Sequence, residues 1–291
     1  MRAPTALRLI AWPYHAGLRD VDMGLGASVL AGDDAFHAAL ASAGSDVTRE
    51  TVPPVDESWP EVARIFELDR RLASRVAAAR AGGAFPLVLA GNCSSSLGTV
   101  AGVGARDLGV VWFDAHADFD TPEDNLSGFT DVMALAILTG SGWRALRETI
   151  PGFSTVRERD VVLAAVRDLE PYQWERLDGS EIHTVPGSVD VHALERALDR
   201  LRESVSRVYV HVDLDALDTS VGRANRYAAP GGLSLDTLLS ALDRVFDRFE
   251  VVAAAITAYD PRVDDEGAIA AAARRIAARI ADRCAASVAP R

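Results

Sequence analysis

Val110-Val111-Trp112-Phe113-Asp114-Ala115-His116-Ala117-Asp118 is an apolar run that opens directly into three side chains able to bind metal, spaced two residues apart. Side chains alternate faces along an extended segment, so this spacing predicts that Asp114, His116 and Asp118 point the same way. A second run repeats the design: Val208-Tyr209-Val210-His211-Val212 leads into Asp213-Leu214-Asp215. A third, Val88-Leu89-Ala90, ends in Gly91-Asn92-Cys93-Ser94 and is followed by small residues that start a helix. Buried carboxylates this close repel one another unless protons or cations intervene. Four of them beside a histidine suit two divalent ions.

Outward from these runs the chain alternates. Short apolar stretches near 7–11, 46–52, 86–90, 110–113, 161–166, 181–185, 208–212 and 251–257 read as strands. Helical patterns fall near 27–43, 59–81, 130–138, 190–205, 235–248 and 266–287, the fifth with Ser234 as cap and Leu235, Leu238, Leu239 and Leu242 at helical spacing. Such alternation predicts an α/β fold: a parallel sheet covered on both faces, with a site at the carboxyl ends of its strands. With 291 residues, 49% hydrophobic composition and no linker, the expectation is one domain over 1–291.

A net charge of −12 without a basic block argues against nucleic acid or an anionic membrane as partner, since both reward clustered cations. All 30 cations are arginine, so chemistry that needs a lysine Schiff base or lysine base is excluded. Two cysteines, Cys93 and Cys284, do not make a disulfide framework. No apolar stretch is long enough to span a bilayer and no secretion signal is visible, so a cytoplasmic location is the expectation.

At these motifs the chain resembles the arginase–agmatinase (ureohydrolase) family, whose signatures are Gly-Gly-Asp-His-Ser, Asp-Ala-His-x-Asp and Ser-x-Asp-x-Asp-x-x-Asp runs. The second is matched in full by Asp114–Asp118. The third reads His211-Val212-Asp213-Leu214-Asp215-Ala216-Leu217-Asp218, with every aspartate kept and His211 in place of the serine. The first reads Ala90-Gly91-Asn92-Cys93-Ser94, with Cys93 where the family has a histidine ligand. The resemblance extends from Ala11-Trp12-Pro13-Tyr14-His15-Ala16-Gly17 to Tyr259-Asp260-Pro261. It implies a three-layer α/β/α fold with an eight-stranded parallel sheet, and an oligomer, commonly a trimer or hexamer.

By that resemblance Asp114 and Asp213 bridge two metals. Asp118 completes one shell with Cys93, and His116 completes the other with Asp215. The oxygen-rich set suits manganese, while a thiolate at Cys93 adds negative charge and draws the site toward zinc or iron(II). A small buried cysteine that binds nothing is the other reading of Cys93.

The segment Phe119-Asp120-Thr121-Pro122-Glu123-Asp124-Asn125-Leu126-Ser127-Gly128-Phe129-Thr130-Asp131 resembles the family's substrate loop, which makes Asp120, Ser127 and Phe129 substrate-contact candidates. Asp131 stands where arginases have a histidine credited with proton shuttling, and a carboxylate there could shuttle a proton, grip a cationic nitrogen or favour a helix start. Asp131 and Asp118 are the catalytic candidates. Asp168 and Glu170 fall in a segment like the family's substrate-amine segment, with a strand-end salt bridge and a helix first-turn acid as the alternatives. Arg223 or Arg226 could clamp a carboxylate or remain solvated, and His15 and His211 carry the same two readings, His211 sharing a face with Asp213 and Asp215. Counting back from Pro261, Ala258 stands where arginases hold the guanidinium with a glutamate, which makes arginine itself a doubtful substrate.

The resulting expectation is a metal-dependent hydrolase that cleaves a C–N bond in a small linear amidine or modified guanidine with a hydroxide shared by two divalent ions. A non-catalytic protein keeping the fold for ligand binding or assembly, and a hydrolase of another C–N bond such as an amide, are the alternatives.

Overall fold

The computed structural model describes residues 5–125, 127–188 and 190–287. Its strands are β1 (Thr5–Trp12), β2 (Tyr14–His15), β3 (Leu18–Arg19), β4 (Ser45–Thr51), β5 (Phe85–Ala90), β6 (Leu108–Phe113), β7 (Val161–Val166), β8 (His183–Pro186), β9 (Arg207–Asp213) and β10 (Glu250–Thr257). The helices are α1 (Met23–Gly32), α2 (Asp34–Ser42), α3 (Glu61–Ala81), α4 (Ser96–Val103), α5 (Ala134–Thr139), α6 (Arg144–Arg147), α7 (Pro171–Asp178), α8 (Val191–Arg202), α9 (Leu235–Arg248) and α10 (Ala268–Ser287). Eight strands form one sheet in the order β4-β1-β5-β10-β9-β6-β7-β8. Every pairing within it is parallel. The three-layer α/β/α architecture is therefore as expected, and each of the eight apolar stretches read from the sequence is one of its strands.

Parallel strands need long crossovers, and the crossover helices cover both faces, which is why β5, β6 and β7 are buried along their whole length. One apolar cluster gathers α2, α8, α9 and α10 on one face of the sheet, and another gathers α3, α4 and α5 on the opposite face. Helix α9 illustrates the logic. Ser234 accepts from the Thr237 N–H at 3.1 Å, and Leu238, Leu239, Ala241, Leu242 and Val245 form its buried stripe.

Two local expectations fail for identifiable reasons. The helix expected over 27–43 is broken at Asp33, which is extended (φ −79°, ψ 116°) and caps α2 by accepting from the Ala35 N–H at 2.9 Å. The extended run expected through Asp118 ends at Phe113, and Asp118 is left-handed at φ 47°. Pleat alternation therefore does not align Asp114, His116 and Asp118. A turn does, tied to the end of β7 by bonds from the Arg167 and Asp168 N–H groups to the Ala115 carbonyl at 2.8 and 3.0 Å.

The four central strands β5, β10, β9 and β6 are neighbours, so the residues at their carboxyl ends share one crevice. Gly91 lets that crevice close: a Cβ there would lie 2.3 Å from the Tyr14 carbonyl oxygen and 2.5 Å from Gly24 Cα. Among the described residues no helix is long and apolar enough to cross a membrane.

Candidate metal centre

Each strand end contributes differently. The 3-10 turn Cys93–Ser95 after β5 points Cys93 inward, and β9 ends on Asp213, whose Oδ1 accepts from the Asp215 N–H at 2.8 Å and so starts the turn that carries Asp215. Beyond β6, Asp114 Oδ1 accepts from the His116 N–H at 2.7 Å and Oδ2 from Trp112 Nε1 at 2.9 Å. The sulfur of Cys93 donates to Asp213 Oδ2 at 3.1 Å. His116 Nδ1 lies 3.4 Å from both Asp114 Oδ1 and Asp215 Oδ2. Asp114 and Asp213 are thus each fixed by one backbone N–H two residues on and by one side-chain donor, and each oxygen keeps a further lone pair.

Cys93, Asp114, His116, Asp118, Asp131, Asp213 and Asp215 all line one cavity of about 450 Å³, walled by Met23, Phe129, Val132, Tyr227 and Ala258. Among the described lining residues there is no arginine. Burial, followed by the charge of neighbouring aspartates, holds Asp114, Asp118 and Asp213 above the usual carboxylate range. Burial also opposes ionisation of Asp215, but the His116 charge and bonds from His116, Asp213 and Asn225 outweigh it and hold Asp215 low. Burial works against the charged form of His116 too, yet the attraction of Asp215 and Asp114 pushes it up. Cys93 is raised by burial and then by Asp213, so without a cation it remains a thiol.

The donors fit a pair of cations. One donor atom each from Asp114, His116 and Asp215 lies within 4.8 Å of the others, and so does one each from Cys93, Asp114 and His211. Asp114 belongs to both groups, as a bridging carboxylate does. A cluster of buried carboxyls with so little positive charge nearby is costly unless protons or metal ions neutralise it.

Asp131 is buried with Oδ1 accepting from the Ser94 N–H at 3.0 Å and Oδ2 from Asn92 Nδ2 at 2.5 Å. Burial raises it to about 7, against the lowering effect of those two bonds. Phe129 lines the cavity, but other substrate-contact candidates do not. The carboxylate of Asp120 is engaged by Tyr172 Oη at 3.0 Å, Gln173 Nε2 at 2.9 Å and Asn125 Nδ2 at 3.1 Å, which ties the loop to α7. Ser127 is exposed, and its N–H donates to Asn125 Oδ1 at 2.9 Å. Glu170 caps α7, its N–H donating to Gln173 Oε1 at 2.8 Å. Arg226 pairs with Asp22 at 3.1 Å, beside Arg262, which bonds the same aspartate. Asp168 is at the rim, 59% exposed and 3.7 Å from His116 Nε2. Arg223 is exposed, and His15 meets Asn92 Nδ2 through Nδ1 at 3.3 Å. Leu126 of the same loop lies outside the described residues.

Several contributors carried no signal strong enough to be singled out from sequence. Asn225 Nδ2 binds both Asp215 Oδ2 at 3.1 Å and the Ala258 carbonyl at 3.0 Å, linking a loop to two strand ends. Trp112 was legible in principle, since it precedes Asp114 by two and shares its face. Thr257, at the end of β10, is the register partner of Asp213.

A sequence profile described as the arginase family matches residues 16–282. The arginase of Bacillus caldovelox is 32% identical over 218 residues, covering 72% of this chain and 72% of that protein. The crystal structure of arginase from Bacillus subtilis has a TM-score of 0.83 at 24% identity, covering 95% of this chain and 98% of its own. Formimidoylglutamase from Bacillus subtilis has a TM-score of 0.74 at 17% identity, over 99% of this chain and 89% of its own. The profile spans all three strands whose ends carry the metal-type donors, and the chain belongs to the arginase family.

Proposed function

We propose that this protein is a metal-dependent hydrolase that cleaves a C–N bond in a small linear amidine or modified guanidine, with Cys93, Asp114, His116, Asp118, Asp213 and Asp215 holding two divalent ions. Family membership supports the coarser part, a metal-dependent C–N hydrolase. The observation that carries the rest is the cavity itself: its floor is anionic, its walls are apolar, and no arginine lines it among the described residues. A compact amidinium group suits that floor. The α-carboxylate of arginine finds no basic partner there, and Ala258 presents a methyl group where a guanidinium anchor would be needed.

When bound, two divalent cations make water acidic enough to supply hydroxide near neutral pH. The chain's own residues do the rest. Asp131, raised to about 7, is suited to take up and return one proton, which the departing nitrogen needs. Asn92 and the Ser94 N–H hold its two oxygens and so fix where that proton sits. Phe129 and Tyr227 line the cavity and restrict water there.

The test is a panel of arginine, N-hydroxyarginine, agmatine, guanidinobutyrate and formiminoglutamate with manganese, zinc or iron(II), scored for urea, hydroxyurea, ammonia and formamide. Arginine should be poor throughout, and Asp131→Asn should lower kcat on the best substrate about 100-fold or more with metal content intact. Efficient arginine hydrolysis that survives Asp131→Asn would refute the substrate reading. Silence across every pairing of compound and metal would move the assignment to ligand binding without catalysis.

A further inference from the structure

Cys93 removes an imidazole from the first motif, and His211 introduces one where the third motif has serine. Both side chains end in the same small volume. One donor atom each of Cys93, Asp114 and His211 lies within 4.8 Å of the others. Thr257 Oγ1 meets His211 Nε2 at 3.2 Å, Cys93 Sγ at 3.4 Å and Asp213 Oδ2 at 3.4 Å, so these three donors gather around one hydroxyl. The ring is held in one orientation. It stacks on Trp112 with centroids 3.6 Å apart and planes 13° from parallel, and its Nδ1 meets Tyr209 Oη at 2.8 Å. Strand β10 makes room for it, because the register partner of His211 there is Ala255.

We infer that His211 is a ligand of the cation held at Cys93, so that this chain has moved the imidazole of one metal site from the first motif into strand β9. The inference rests on the two-metal reading above. With Nδ1–H donating to Tyr209 Oη, Nε2 carries the lone pair, which the Thr257 hydroxyl meets at 3.2 Å and a bound cation would take over, the arrangement in which an outer partner fixes the tautomer of a ligating histidine. His211 is fully buried, so its ring keeps this placement. Thiolate, imidazole and the carboxylates of Asp114 and Asp213 form a donor set of the kind zinc takes. Packing alone accounts for a neutral ring on Trp112. It does not account for a ring nitrogen within 4.8 Å of both the Cys93 sulfur and an Asp114 carboxylate oxygen.

Protein loaded with two equivalents of cadmium-113 provides the test, because one-bond neighbours of the metal appear as couplings in NMR spectra. The cadmium with a thiolate shift should couple to His211 ring protons. His211→Ser should abolish that coupling and weaken this cadmium at least about tenfold, leaving the cadmium at His116 in place. Thr257→Val keeps the ring but removes the hydroxyl between the donors, and should preserve the coupling. Where His211→Ser does not fold, the coupling in the unaltered protein decides alone. A thiolate-bound cadmium that couples to no histidine, or coupling only to His116, overturns the inference and leaves the two-metal reading standing. Failure to retain cadmium at either position overturns both.

Discussion

The donors nearest the mouth and those beneath them differ in kind. Asp114, His116 and Asp215 keep the residue types of the family signature, and His116 is 27% exposed. The deeper group around Cys93 and His211 departs from the signature at both residues and is wholly enclosed. Of the first group only His116 reaches the mouth, held by one turn, while Asp114 and Asp215 are buried. A donor below it is hemmed in by Trp112, Tyr209 and Thr257, so exchanging one side chain calls for a neighbour of different shape. Cys93 and His211 share the space around the Thr257 hydroxyl.

The comparison breaks most visibly through Asp213. On the two-metal reading Asp213→Ala removes a shared ligand, and both ions should be lost on desalting, with activity gone; His116→Ala should cost only the mouth-side ion. Metal analysis by mass spectrometry checks this, and two ions retained by Asp213→Ala would end the assignment. Next in size is pH. Asp114, Asp118, Asp131 and Asp213 have raised pKa values in the folded protein, so between the ordinary value of 3.8 and the folded one the native state holds more protons than the unfolded state. Their stabilising effect is full below the ordinary value and is lost as pH rises, through about 7 for Asp131. Chelated protein should therefore melt at a lower temperature at pH 8 than at pH 5, and added metal should reverse that order, since cations replace the protons. Scanning calorimetry in chelator and in excess metal gives the answer.

Cys93→His sharpens the contrast more gently. It should shift relative affinity toward manganese by about tenfold, read by competition between manganese and zinc, because imidazole is the harder donor. An unchanged preference would reduce Cys93 to packing. Smallest of all, Ser234→Ala removes the cap of α9, remote from either group, and should cost about 1 kcal/mol in urea unfolding while leaving metal content alone.

The sequence made the sheet legible because parallel strands buried on both faces are continuous apolar runs, as Val161–Val166 and Leu108–Phe113 are. The metal-type donors were legible because they follow such runs directly. What escaped depends on the third dimension. Asp120 looks like a substrate contact until Tyr172 and Gln173 are seen to occupy its carboxylate, and their helix α7 lies about fifty residues further on. Asn225 sits among exposed arginines in a loop, and only its contacts to Asp215 and Ala258 distinguish it. Arg226 is fixed by Asp22, a residue from the opposite end of the chain.

Strand β10 is the last of the eight in sequence, yet it lies between β5 and β9 at the middle of the sheet. During synthesis the first part of the chain can pair β4, β1 and β5, and the second can pair β9, β6, β7 and β8, but no strand pairing joins the two until β10 emerges between them. Contacts of such long sequence separation form late and slowly. Cys93 belongs to the first half-sheet, while Asp114 and Asp213 belong to the second. A nascent chain that stops short of Glu250 thus contains every metal-type donor but cannot bring Cys93 to Asp114 and Asp213 through the sheet.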